Sequence, residues 1–142
     1  MKNKFFLLIV SCLLLSGCGK KTLTCSLTKN IESGKSREKQ VFVFNNNKIS
    51  SIETTLSVLL DDGFKDYSSV MVKKIRKDFK IYNNHKGISA EVSENDNTIK
   101  ASVKADYNKM NSSSKRVIGF DEKMSYDDIK SKMKKDNYTC KW

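Results

Sequence analysis

The run Gln40-Val41-Phe42-Val43-Phe44 stops at Asn45-Asn46-Asn47, and from Lys48 the chain alternates again with Ile52, Thr54, Leu56, Val58 and Leu60 on one side. Aromatic and β-branched residues flanking an asparagine turn predict a hairpin. Leu23, Cys25 and Leu27 alternate over residues 22–29 and predict a strand ahead of it, with Ser33-Gly34-Lys35-Ser36 as a turn cluster between. A second hairpin follows from Ile88, Ala90 and Val92, the turn Asn95-Asp96-Asn97, and then Ile99, Ala101, Val103, Ala105 and Tyr107. The small alanines predict a helix packed closely over that side.

Between the hairpins the period changes. After Asp61-Asp62-Gly63, the residues Tyr67, Val70, Met71, Ile75 and Phe79 recur at three- and four-residue steps, which predicts an amphipathic helix of about four turns. Residues 108–120 are read as a loop at Asn111-Ser112-Ser113-Ser114, then an edge strand or core-plugging turn at Val117-Ile118-Gly119-Phe120. Ser125, with Asp128 three residues on, has the pattern of a capping box opening a short helix whose buried stripe is Ile129 and Met133. Tyr138 to Trp142 is extended. The order ββ(β)-α-ββ-α with a short terminal strand defines an α+β fold, an antiparallel sheet of two hairpins with helices on one face.

The N-terminus carries a different signal. Met1-Lys2-Asn3-Lys4 is a basic head, Phe5 to Leu15 is apolar, and small residues follow, the parts of a secretory signal peptide. The apolar run is too short for a stable spanning anchor. Leu15-Ser16-Gly17-Cys18 resembles the lipobox of bacterial lipoproteins. That resemblance implies alkylation of the Cys18 thiol with diacylglycerol, cleavage after residue 17, and attachment to the extracytoplasmic face of the cell membrane through acyl chains such as palmitate. The other readings are a core helix, or an ordinary signal with an incidental cysteine. The expected organisation is a cleaved signal over 1–17, a lipidated tether over 18–21 and one domain over 22–142. Removal of the signal takes Lys2 and Lys4, leaving 25 basic and 16 acidic side chains, a net charge of +9.

Cys12 leaves with the signal and Cys18 is taken by lipid, so Cys25 and Cys140 remain. In an exported chain they are expected to form a disulfide joining the first strand to the last. Two free thiols are the alternative. A metal site lacks a second ligand pair, and His85, the one histidine, sits in a polar turn. No phosphate loop, metal pattern or serine elbow occurs, and the six glycines are isolated. The acid pairs Asp61-Asp62, Asp121-Glu122 and Asp127-Asp128 lie in turns or at helix starts, where carboxylates meet the positive end of the helix dipole. The expectation is a non-enzymatic protein without cofactor or metal.

Lys73, Lys74, Arg76, Lys77 and Lys80 place five positive charges within eight residues, and further lysines stand at 130, 132, 134 and 135 on the last helix. Nucleic acid is excluded as a partner by export and by the lack of interleaved aromatics. An anionic membrane surface or wall polymer suits the cluster better, because a basic domain on a short tether sits within a Debye length of the headgroups. A solvated helix face is the plainer reading. Trp142 beside Cys140 is read as a hydrophobic lid near the bridge, or as a side chain touching the membrane interface.

The lipobox, the paired strands, the basic helix, the second hairpin and the ending Tyr126-Asp127-Asp128-Ile129 to Asn137-Tyr138-Thr139-Cys140 together resemble the small Firmicute lipoproteins of the YehR-like kind. The resemblance implies an α+β fold and surface anchoring, and it brings no catalytic residues. The expected role is binding or accessory work in the cell envelope, with an envelope protein or an anionic wall polymer as partner. Electrostatic docking through the basic helix is the alternative.

Overall fold

Three long strands are built where the alternation runs: β1 (Lys21–Ile31), β2 (Gly34–Asn45) and β3 (Lys48–Leu60). The computed structural model describes residues 19–142; the expected signal and lipobox, Cys18 included, lie outside the described residues. Asn46 and Asn47 both hold positive φ, 51° and 59°, so β2 and β3 join through a two-residue loop of the hand that matches strand twist. At the β1–β2 corner, Gly34 has φ +140° and a Cβ there would lie 2.1 Å from the Leu59 carbonyl oxygen, which restricts the position to glycine. Register pairs Val43 with Ser51 and Phe44 with Ile49, leaving Ser50 as a bulge whose hydroxyl donates to the Val43 carbonyl at 3.0 Å. The extra residue resets the alternation, so Ile49 and Ile52 both face the core.

A 3-10 turn, Asp62–Tyr67, leads into α1 (Ser68–Lys80). The second hairpin is β4 (Ile88–Asn95) and β5 (Thr98–Asp106), followed by α2 (Ser112–Ile118), α3 (Tyr126–Lys135) and β6 (Thr139–Lys141). All neighbours pair antiparallel in the order β4-β5-β3-β2-β1-β6. This is the expected α+β class, with the helices against one face of the sheet. α1 packs over β4 and β5, and α3 over β1 and β6. Val58, Leu60, Ile99 and Val72 form a small core under α1. Leu23, Phe42, Phe44, Ile52, Val103, Ala105, Ile129 and Met133 belong to a larger one.

Cys25 and Cys140 are register partners of β1 and β6, and the disulfide joins them. It ties a strand of only three residues to the sheet. The Ser125 capping box is present: the Ser125 hydroxyl accepts from the Asp128 N–H at 3.2 Å, and the Ser125 N–H donates to Asp128 Oδ2 at 2.9 Å. The Ser125 hydroxyl, donating to Asp128 Oδ2 at 2.7 Å, and after it the Ser125 N–H hold the Asp128 carboxyl below its ordinary range. Ser125→Ala is expected to cost about 1 kcal/mol, read as a lowered urea midpoint with an unchanged slope.

Three expectations are corrected. Residues 112–118 form helix α2 instead of a loop and edge strand: the Asn111 side chain caps it by accepting from the Ser114 N–H, and Gly119 closes it at φ +77°. The turn cluster over 33–36 is mostly strand, because only Glu32 and Ser33 form the loop and Gly34 opens β2. Trp142 is not a buried lid; it is 75% exposed and stacks on Tyr126.

Candidate functional site

Among the described residues every helix lies on one face, the other face of the sheet is open, and register fixes what it carries. Outward positions alternate with the buried ones: Thr24, Ser26 and Thr28 on β1, Lys35, Arg37, Lys39, Val41 and Val43 on β2, Glu53, Thr55, Ser57 and Leu59 on β3. Cross-strand rows follow. Thr139, Ser26, Lys39 and Thr55 form one row, Lys141, Thr24, Val41 and Glu53 the next. Arg37 lies between Thr28 and Ser57, and Lys35 between Asn30 and Leu59. Each cation on β2 is therefore flanked directly by hydroxyl, amide or aliphatic groups and by no carboxylate.

Two depressions lie on this face. One, of about 440 Å³, is lined by Val41, Val43, Glu53, Lys104, Asp106 and Lys109 among others. Its charges satisfy one another, since Lys104 meets Glu53 at 3.8 Å and Lys109 meets Asp106 at 3.3 Å. The other, of about 600 Å³, runs over the β6–β1–β2 edge and is lined by Thr24, Ser26, Leu27, Thr28, Arg37, Lys39, Asn137, Thr139 and Lys141. It has three cationic groups, four hydroxyls, one amide and no acid. None of its cations takes part in an ion pair among the described residues. Chemically, this groove can accept an anion with several oxygens: the Arg37 guanidinium offers a planar donor fork, the lysines offer point charges, and the hydroxyls donate between them.

The residues singled out from the sequence stand elsewhere. Lys73, Lys74, Arg76, Lys77 and Lys80 are all exposed on α1, on the helix side of the molecule and so opposite the groove. Tyr67, Val70 and Ile81 are exposed beside them at 60%, 63% and 57%. Val70 and Lys73, three apart, and Val70 and Lys74, four apart, share one side of the helix. The acid pairs are occupied locally: Asp62 pairs with Lys65 at 2.6 Å, which lowers its carboxyl, Glu122 pairs with Lys115, and Asp127 and Asp128 open α3. His85 lies in the turn before β4, its N–H donating to the Tyr82 carbonyl. Among the described residues no three His, Cys, Asp or Glu side chains gather at metal-ligand range. No helix among them is long and apolar enough to cross a membrane.

The sequence pattern did not single out Lys35, Arg37, Lys39 and Lys141 as one surface. Their signal is present in the polar positions of the strands, but only the order β2-β1-β6 brings them together.

A six-stranded antiparallel sheet with three helices on one face is a YehR-like fold. Similar solved structures include YehR of Escherichia coli, with a TM-score of 0.59, 14% identity, and 86% of this chain and 92% of that one covered. A protein from Streptococcus pneumoniae TIGR4 is similar at a TM-score of 0.57 and 12% identity, with 87% and 86% of the two chains covered. At these identities the likeness is one of fold. The sequence matches no family model and no curated protein.

Proposed function

We propose that this chain is a lipid-anchored envelope protein, acylated at Cys18 and held on the extracytoplasmic face of the cell membrane, that binds an anionic wall polymer without an enzymatic step. The observation that supports it is the acid-free cationic groove over β6, β1 and β2. Lys35, Arg37 and Lys39 stand at alternate positions of one strand, about 7 Å apart. That interval is comparable with the spacing of successive phosphates in an extended polyol phosphate chain. Contacts of this kind are individually weak and add along a polymer, so binding falls steeply with salt.

A second reading keeps the contact on α1, whose exposed Tyr67, Val70 and Ile81 beside the lysines suit an anionic lipid surface. One experiment separates the two. Protein beginning at Gly19, free of lipid and detergent, is titrated with poly(glycerol phosphate), and separately with vesicles containing phosphatidylglycerol. Arg37→Glu with Lys39→Glu is expected to weaken polymer binding by at least about tenfold, equivalent to roughly 1.4 kcal/mol. Lys73→Glu with Lys77→Glu is expected to leave it within about threefold, less than 1 kcal/mol. Loss of vesicle binding in the α1 variant with no polymer binding by the parent would transfer the function to the helix. No binding to either probe would end both readings.

A further inference from the structure

Tyr126 and Trp142 stack face to face, ring centroids 4.0 Å apart and planes 6° from parallel. The stack covers one face of the indole and leaves the side chain 75% exposed, an unusual place for the largest apolar side chain in the chain. Its position in the fold is specific. Tyr126 also meets Phe44 edge-on at 6.0 Å, and Phe44 is the register partner of Lys21, the first residue of β1. Lys141, next to Trp142, pairs with Thr24 of the same strand. The aromatic pair therefore sits at the end of the sheet where the tether enters, three residues after Cys18. Three residues reach no more than about 11 Å.

We propose that Tyr126 and Trp142 insert into the headgroup layer of the bilayer that holds the anchor, and so seat the domain on this end of its sheet. The inference rests on acylation of Cys18. Tryptophan and tyrosine favour the membrane interface because the ring is apolar and its N–H or O–H needs a polar partner, and the headgroup layer supplies both. The surrounding charge fits anionic headgroups. Lys21 and Lys48 flank the strand ends, Lys141 adjoins the indole, and Lys130 Nζ lies 5.8 Å from the Tyr126 ring centre. Of the nearby acids, Asp128 is engaged in the capping box and Asp127 stands beside Tyr126 in the first turn of α3. One acyl-modified residue fixes a point, and a second contact beside it fixes an orientation. The strands then stand upright on the membrane, the open sheet face looks sideways into the wall, and α1 stands upright too, without laying its lysines along the lipid.

Trp142 is the only tryptophan, so its fluorescence reports this contact alone. The acylated full-length protein is reconstituted in phosphatidylcholine–phosphatidylglycerol vesicles, its attachment is checked by flotation, and its emission is compared with that of Cys18→Ser in buffer. The expected result is a blue shift, loss of most acrylamide quenching, and strong quenching by lipids brominated near the glycerol end of the acyl chain. Floated protein whose emission and acrylamide quenching match the Cys18→Ser protein would overturn the inference and leave the anchor standing. A protein that does not float removes the anchor, and the inference with it. Lys73→Glu with Lys77→Glu is expected to leave the shift in place; its loss in that variant would show a domain lying on α1 and would overturn the upright seating.

Discussion

Replacing Cys25 and Cys140 together by alanine lowers the stability of the domain by about 4–5 kcal/mol in the chain-entropy account. The bridge closes a separation of 115 residues, nearly the whole described chain, so its absence releases almost the full loop entropy of the unfolded state. Against a total of about 5–15 kcal/mol for an ordinary domain, that is roughly a quarter of the stability or more. The local effect comes first. β6 is three residues long and pairs only with β1, so without the covalent tie its hydrogen bonds open at little cost. Urea unfolding with and without reductant measures the global term, with a midpoint expected to fall by roughly 3 M. Hydrogen exchange at Thr139 to Lys141 measures the local one. A midpoint change below about 0.5 M would mean that the reduced unfolded chain is already compact.

Phe42→Ala is expected to cost about 3–5 kcal/mol, a fall in melting temperature of roughly 10–20 °C. Phe42 has no exposed surface and lies on the middle of β2, with Leu23 and Ile52 as its register partners. Its ring meets Phe120 edge-on at 5.0 Å and 75°. Phe120 in turn gives its carbonyl to the Tyr107 hydroxyl at 2.8 Å, a hydroxyl that burial pushes up to about 12 and so keeps protonated as the donor. Truncating Phe42 thus opens a void and loosens the hold of the sheet on the α2–α3 connection. Phe42→Leu keeps most of the volume and is expected to cost about 1–1.5 kcal/mol. Equal, small losses in the two variants would show that the ring is not a packed element of the core.

Much of this architecture is legible in the amino-acid sequence, because a half-buried sheet writes its burial directly into alternate residues. Phe42, Phe44, Ile52 and Leu60 are examples, and so are Ile99, Ala101, Val103 and Ala105. The capping box of α3 is equally visible, since Ser125 and Asp128 have no other reason to stand three apart before an apolar stripe. Helix α2 is hidden for a physical reason. Its seven residues are too few to show a period, and three serines open it where propensity favours a loop. What holds it is local: the Asn111 cap and the left-handed Gly119. The start of β2 is hidden because Lys35, Ser36 and Arg37 carry no apolar side chain. The cationic groove needs strand order as well as strand identity. The expected Cys25–Cys140 bridge already joins the last strand to the first, but only the antiparallel register across β2, β1 and β6 puts Lys141 and Lys39 on one face.

The position of β1 also decides how the domain carries load. β1 lies between β2, with which it makes eleven register pairs, and β6, with which it makes three, and both neighbours run antiparallel to it. Under the proposed anchoring, a pull applied ahead of Lys21 runs along this strand, so the ladders on either side would resist in shear, many hydrogen bonds at once, and not unzip singly. The Cys25 bridge limits slippage to the four residues ahead of it. If the proposed anchor and polymer contact both hold, a polymer over β1 and β2 would be in series with the anchor through one adjacent ladder, and the tension would bypass α1, β4 and β5.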